Sequence, residues 1–85
     1  HIDMNNAIAR NNLGILYYKI NKYQDAISQL TQGLLLDPDN AETYYYIGQS
    51  YNSLNKNKQA LESYKMALKI APDSPEVENS EAVLK

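Results

Sequence analysis

The stretch from residue 41 to residue 72 reads AETYYYIGQSYNSLNKNKQALESYKMALKIAP and is the most informative part of the sequence about the structure. Its apolar residues recur at steps of three and four, the spacing of an amphipathic helix, in two runs separated by the polar pair Asn55-Lys56. Such a pair suits a tight turn between antiparallel helices, and Pro72 stops the second helix because proline lacks the amide donor. The stretch therefore predicts a helix hairpin, with helices near 40–54 and 58–70.

The same pattern occurs 34 residues earlier. Shifting the chain by that distance superposes nine identical residues: Ala7 on Ala41, Gly14 on Gly48, Tyr17 on Tyr51, Asn21-Lys22 on Asn55-Lys56, Ala26 on Ala60, Leu34 on Leu68, and Pro38-Asp39 on Pro72-Asp73. Self-similarity at a fixed period is the sequence signature of a repeat architecture. The first unit then predicts helices near 5–20 and 24–36.

Residues that favour the start of a helix follow Pro38 and Pro72. Asp39 and Asp73 each precede a glutamate by three residues, which is close to a capping box and predicts an N-cap at both positions. Pro75 suits the first turn of a helix, so a further helix is predicted near 75–84.

Glycines interrupt the first helix of each unit, at Gly14 and Gly48. Glycine inside a helix costs about 1 kcal/mol relative to alanine, so something must offset it. The interpretation is that the two helices of each hairpin approach closely there, with Ala26 and Ala60 as the small residues on the facing helix.

The second unit reads Tyr44-x-x-Ile47-Gly48-x-x-Tyr51, then Ala60-x-x-x-Tyr64 and Pro72, and the first reads Arg10-x-x-Leu13-Gly14-x-x-Tyr17, then Ala26-x-x-x-Leu30 and Pro38. Over about residues 7–74 this order resembles the tetratricopeptide repeat, a helix hairpin of about 34 residues. The first unit departs from the pattern at Arg10, Leu30 and Gly33. The resemblance implies an all-α fold, a right-handed α-solenoid of antiparallel helix hairpins with about five helices.

The resemblance also implies an organisation and a role. Repeat 1 would span 5–38, repeat 2 would span 39–74, and 75–85 would form a C-terminal capping or partial-repeat helix, while 1–4 are interpreted as vector-derived. Members of this family hold partner peptides or proteins. The expectation is a protein-protein interaction module or scaffold, not an enzyme.

In such an array one face of each first helix packs and the other lines a concave groove, where a partner peptide would bind. Helical spacing puts Tyr44, Ile47 and Tyr51 on the packing face of the second unit. The opposite face offers tyrosine rings with a large contact area and amides that can bond an extended backbone. The predicted peptide-binding residues are Asn11, Asn12, Ile15, Tyr18, Tyr45, Tyr46, Gln49 and Asn52. A competing interpretation is that Tyr45 and Tyr46 pack against the helix from residue 75.

One subtype of this family grips the carboxylate tails of heat-shock chaperones with lysine and asparagine side chains. Here Asn11 stands in place of the first lysine, Ile15 in place of its asparagine, and Tyr46 in place of the second asparagine. Glu78, Asn79 and Glu81 occupy the stretch that should supply further cations. The comparison argues against a chaperone C-terminal tail as the partner and favours a partner with some positive charge.

Composition excludes several other functions. The 85 residues contain 8 Lys and Arg against 10 Asp and Glu, so no basic excess is present to neutralise phosphates, and no nucleic-acid partner is expected. No apolar run approaches the roughly 18–20 residues that cross a bilayer, so no membrane role is expected, and a cytoplasmic location is the prediction. Cysteine is absent and His1 is the only histidine. With no nucleophile paired to a base, no phosphate loop and no metal-spaced cluster, the sequence predicts no catalytic residue, metal or cofactor.

Two alternatives to peptide binding stay open. Two repeats are fewer than the three or so that usually make an array stable alone. The chain could therefore be a structural or self-associating segment of a larger protein, or an engineered repeat protein without a natural partner. A homodimer would use apolar area at the end of the first repeat, provided by Ile8, Ile15, Leu34 and Leu35.

Overall fold

The computed structural model describes residues 4–73, which contain four α-helices: α1 (Met4–Lys19), α2 (Tyr23–Leu36), α3 (Ala41–Ser53) and α4 (Asn57–Ile70). The four predicted helices agree with these bounds to within one residue at each end, so the all-α prediction is confirmed. The predicted helix at 75–84 lies outside the described residues. None of the helices between residues 4 and 73 has the length and apolar character needed to cross a membrane.

Each hairpin turns at an asparagine in the left-handed backbone region. At Asn21 φ is 67°, and the N–H of Lys22 donates to the carbonyl of Tyr17 at 2.8 Å. This is a Schellman motif, in which glycine or asparagine fits best because other side chains pay a steric cost. The second hairpin repeats the arrangement 34 residues later, with φ of 62° at Asn55. The predicted turns are therefore confirmed.

The predicted N-cap of α3 is wrong by one residue. The cap is Asn40, whose Oδ1 accepts a hydrogen bond from the Thr43 N–H at 3.2 Å, and whose backbone is extended. Asp39 and Asn40 are both good N-cap residues, and the helix begins at the second of them. Glu42 consequently falls at the second helical position, so the predicted capping box does not form.

The hairpins α1–α2 and α3–α4 stack through contacts between α2 and α3. Ile47 of α3 is buried with Ala26 and Leu30 of α2, which joins the two repeats. Ile15 and Leu34, predicted to contribute to a dimer surface, instead pack against this cluster. A second buried cluster lies within the second hairpin and consists of Ala60, Tyr64 and Ala67.

The close approach predicted at Gly14 and Gly48 is confirmed, but its partners are different. A Cβ added at Gly14 would lie 2.5 Å from Cγ of Leu30, and one added at Gly48 would lie 2.5 Å from Cε1 of Tyr64. The side chains that face the two glycines are therefore the large ones of Leu30 and Tyr64, each one helical turn after the predicted alanine. Ala26 contributes its backbone oxygen, 3.2 Å from the added atom at Gly14.

Candidate functional site

Three tyrosines and a glutamine form a connected surface where α1 and α3 meet. Tyr18 belongs to α1, whereas Tyr45, Tyr46 and Gln49 belong to α3. The ring centroids of Tyr18 and Tyr46 are 5.5 Å apart and those of Tyr45 and Tyr46 are 5.1 Å apart, both edge to face. All four side chains are half-buried, so each keeps some surface open to solvent. We call this set the tyrosine face.

Hydrogen bonds tie the tyrosine face to the core. The buried Tyr64 donates its hydroxyl proton to Oε1 of Gln49, and Nε2 of Gln49 donates to the hydroxyl oxygen of Tyr45 at 3.1 Å. The ring of Tyr45 also packs near that of Tyr64, with centroids 6.2 Å apart. Both ends of the Gln49 amide are thus engaged within the protein, and Gln49 positions Tyr45.

Burial raises the pKa of the Tyr18 hydroxyl above its ordinary value of 10.0. Desolvation disfavours the charged phenolate, and the neighbouring Tyr45 and Tyr23 raise the pKa further. A hydrogen bond with Gln49 acts in the opposite direction. Tyr18 therefore stays neutral to higher pH in the folded protein than in the unfolded chain.

This shift predicts a loss of stability at alkaline pH. Because the folded pKa of Tyr18 exceeds the unfolded one, its contribution is complete below about pH 10 and is lost as the pH rises through the folded pKa. We expect the free energy of unfolding to fall above about pH 10, and to fall less in Tyr18→Phe. Urea unfolding at a series of pH values above and below about 10 measures the free energy of unfolding of the wild type and of Tyr18→Phe. An equal loss in the two would contradict the assignment to Tyr18.

The other predicted binding residues differ in where they lie. Ile15 is half-buried and, like Tyr18 and Tyr46, packs against the buried cluster that contains Leu30. Asn12 is exposed, and Asn52 is half-buried near the end of α3. Neither residue takes part in the ring contacts and hydrogen bonds described above for the tyrosine face. The structure thus groups Tyr18, Tyr45, Tyr46, Gln49 and Ile15.

Asn11 was predicted to lie on the exposed face, and that placement is wrong. Its side chain is only 6% exposed and points at α2, where Gly33 leaves room for it. A Cβ on Gly33 would lie 1.9 Å from Oδ1 of Asn11, and among residues 4–73 this oxygen has no hydrogen-bond partner. In the second repeat the corresponding pair is Tyr45 and Ala67. The departure of Gly33 from the family pattern was the signal for this burial.

Gly33→Ala is expected to raise the free energy of unfolding by about 1 kcal/mol, because alanine is the better helix former. The atom in the way is the end of a short side chain, which can swing into water and satisfy its unpaired oxygen. Urea unfolding measures the change. Gly14→Ala is the control and should destabilise, because it meets the buried Leu30 and a backbone oxygen. A loss of stability in Gly33→Ala would show that Asn11 is held in place.

A second concave region lies on the other side of α3, between α2 and α4. It encloses about 290 Å³ and is lined by Thr31, Leu34, Tyr44, Ile47, Tyr51, Gln59, Glu62, Ser63 and Met66. Of the predicted packing face, Ile47 is buried, whereas Tyr44 and Tyr51 are half-buried and form part of the lining. No sequence signal indicated this groove, because its width depends on the separation of two helices that are distant along the chain.

Comparison with known proteins agrees with the two stacked helix hairpins seen in the structure. The sequence matches the family described as tetratricopeptide repeat (TPR) over residues 6–75. No curated protein is close enough in sequence to count as a match. The predicted repeat family and solenoid fold are confirmed by this match and by solved structures.

Three of those structures illustrate the likeness. The second TPR domain of human RPAP3, solved in complex with the HSP70 peptide SGPTIEEVD, superposes with a TM-score of 0.89 at 25% identity, over 93% of this chain and 66% of that one. The Arabidopsis OM64 TPR domain gives 0.91 at 24% identity, over 94% and 66%. MamA gives 0.90 at 28% identity, over 96% and 48%. This chain therefore spans about two thirds of the first two structures and about half of the third.

Proposed function

This chain belongs to the tetratricopeptide repeat family, and on that premise we propose that it binds a peptide or protein segment in the groove formed by α1 and α3. TPR domains are protein-protein interaction modules, typically without enzymatic activity. The second TPR domain of RPAP3, solved with a bound peptide, has the same fold. The observation that carries the proposal is the tyrosine face.

The tyrosine face has the properties of a peptide contact surface. Tyrosine rings provide a large, rigid contact area at low entropic cost, and clustered aromatic residues dominate the binding energy of many interfaces. The ring of Tyr46 already contacts those of Tyr18 and Tyr45. Gln49 holds Tyr45 through a hydrogen bond. Little ordering is then needed on binding, which favours affinity.

We infer that the partner is not bound through a free C-terminal carboxylate. At the positions where related domains use lysine and asparagine, Asn11 is buried, while Ile15 and Tyr46 pack against the core. No lysine or arginine is among the predicted binding residues. An apolar or basic segment fits this surface better than an acidic one. A bound carboxylate would lose its hydration without gaining a cation, whereas a cationic side chain can lie against the face of a tyrosine ring.

The test starts from peptides selected from a random display library against the intact chain. Fluorescence anisotropy then compares the wild type with Tyr45→Ala and with Tyr44→Ala. Tyr44 is a matched control because it is the neighbouring tyrosine, also half-buried, and lines the groove on the other side of α3. We expect Tyr45→Ala to weaken binding at least about tenfold, which is 1.4 kcal/mol, and Tyr44→Ala to have little effect.

Two outcomes would contradict the proposal, provided that circular dichroism shows all variants to be folded. One is undiminished affinity in Tyr45→Ala. The other is a larger loss in Tyr44→Ala, which would place the peptide in the second groove. The peptide SGPTIEEVD is tested in the same way, and it is expected to bind with a Kd of about 1 mM or weaker. Tight binding of that peptide would show that an acidic tail is accepted without the lysine and asparagine positions.

A further inference from the structure

An apolar stripe made of Ala9, Leu13, Leu16 and Ile20 runs along the outer side of α1 and ends at Ile20, the residue directly after the helix, and we call it the α1 seam. Leu13 is 37% exposed, Leu16 is 54% exposed and Ile20 is 53% exposed, and Ala9 is exposed as well. Single exposed apolar side chains are ordinary, but a continuous row on one helix marks an interaction surface.

The second repeat shows how the equivalent side of its first helix, α3, packs against a neighbouring helix. The residues 34 positions later are Thr43, Ile47 and Ser50 of α3, and Leu54, which directly follows α3. Of these Thr43, Ile47 and Ser50 are buried, and Ile47 packs with residues of α2. The α1 seam is therefore the counterpart of an interface that exists within the same molecule.

The chemistry of the two surfaces differs. Small hydroxyl residues, Thr43 and Ser50, allow α3 to pack close to its neighbour, whereas Leu16 takes the place of Ser50 on α1. A leucine there would overpack a contact of the internal kind. The steps of four, three and four residues along the α1 seam are instead those of a coiled-coil a/d stripe, which packs best against another helix of the same pattern.

We propose that the α1 seam is the contact surface of a symmetric homodimer in which α1 of one copy packs against α1 of a second copy. The seam contains no charged side chain, so two copies can face each other without like-charge repulsion. A two-fold contact is self-complementary and closes at two subunits. Leu16 and Tyr18 are two residues apart, which is about 200° around a helix, so dimerisation leaves the tyrosine face free.

The test is sedimentation equilibrium on the intact chain from about 10 µM to about 1 mM, a range that spans micromolar to millimolar Kd values. The weight-average mass of the wild type is expected to rise toward twice the monomer mass. Leu16→Glu is expected to stay monomeric across the range, since it places a charge in the seam. Leu35→Glu makes the same change at a leucine that is 81% exposed on α2, and it should dimerise like the wild type.

Leu16→Ser is a second variant, which introduces the residue found at the equivalent position of the second repeat, Ser50. It should also weaken the dimer. If Leu16→Glu lost helicity, Leu16→Ser alone would decide. A wild type that stays monomeric at the highest concentration would overturn the proposal and leave the seam to a helix of another protein or of further chain. A mass that grows past the dimer would overturn the two-fold arrangement, and equal effects of Leu16→Glu and Leu35→Glu would overturn the location.

Discussion

Replacing Gly48 with leucine is expected to lower the free energy of unfolding by about 3 kcal/mol or more. A Cβ at Gly48 would lie 2.5 Å from Cε1 and 2.6 Å from Cδ1 of Tyr64, whereas carbon atoms pack at about 3.5–4.0 Å. The Tyr64 ring is fully buried and cannot move aside, and leucine would add three more carbons at the same helix crossing. Thermal unfolding followed by circular dichroism measures the change, with a fall in Tm of about 4–8 °C for each kcal/mol.

Ser53→Leu is the matched control for this substitution. It introduces the same side chain into the same helix at an exposed position, so it should alter the free energy of unfolding by no more than about 0.5 kcal/mol. If Gly48→Leu melted at the wild-type temperature, α3 and α4 would not approach closely at Gly48. The explanation given for a glycine inside this helix would then be wrong.

The helix bounds and the two turns could be predicted because they depend on residues that are close together in the chain. The period of the apolar residues identifies each helix, and Asn21 and Asn55 mark the left-handed positions that end the first helix of each hairpin. The N-cap of α3 shows the limit of this reasoning. Asp39 and Asn40 are both competent caps, and only the path of the backbone into the helix selects Asn40.

The candidate site was harder to predict because it depends on pairs of residues from different helices. Helical spacing predicts Tyr45, Tyr46 and Gln49 on one side of α3, but it could not show that Gly33 opens a space for Asn11. The bond from Tyr64 to Gln49 is of the same kind, since it requires the two helices to be docked. The seam on α1 needed the structure as well, because spacing alone does not say which apolar residues stay uncovered.

Tyr64 connects the stability of the second hairpin to the tyrosine face. Its ring fills the buried cluster with Ala60 and Ala67 and lies against Gly48, while its hydroxyl reaches Gln49. Leu30 takes the corresponding place in the first hairpin but has no hydroxyl with which to reach a neighbouring side chain. The aromatic position of the repeat pattern therefore serves packing in both repeats and positions a surface residue in only one.

Tyr64→Ala is expected to lower the free energy of unfolding by about 3–5 kcal/mol, because it removes a fully buried aromatic ring and leaves a cavity. That is a large part of the roughly 5–15 kcal/mol that stabilises a typical domain, and at about 4–8 °C of Tm for each kcal/mol the variant should melt roughly 12–40 °C below the wild type. Urea unfolding at low temperature measures the loss. If Tyr64→Ala kept most of its stability, the second hairpin would not depend on this ring.

Tyr64→Phe separates the two roles of the residue. The ring stays and the hydrogen bond to Gln49 is lost, so the free energy of unfolding should fall by about 0.5–1.5 kcal/mol. Gln49 keeps its hydrogen bond to Tyr45 but is no longer fixed by Tyr64, so Tyr45 is held less firmly, and a peptide that binds the tyrosine face should bind Tyr64→Phe more weakly than the wild type. Tyr51→Phe is the control, since Tyr51 is half-buried and lines the groove on the other side of α3. Equal peptide affinity in Tyr64→Phe and wild type would mean that the hydrogen bond from Tyr64 to Gln49 does not help to position Tyr45.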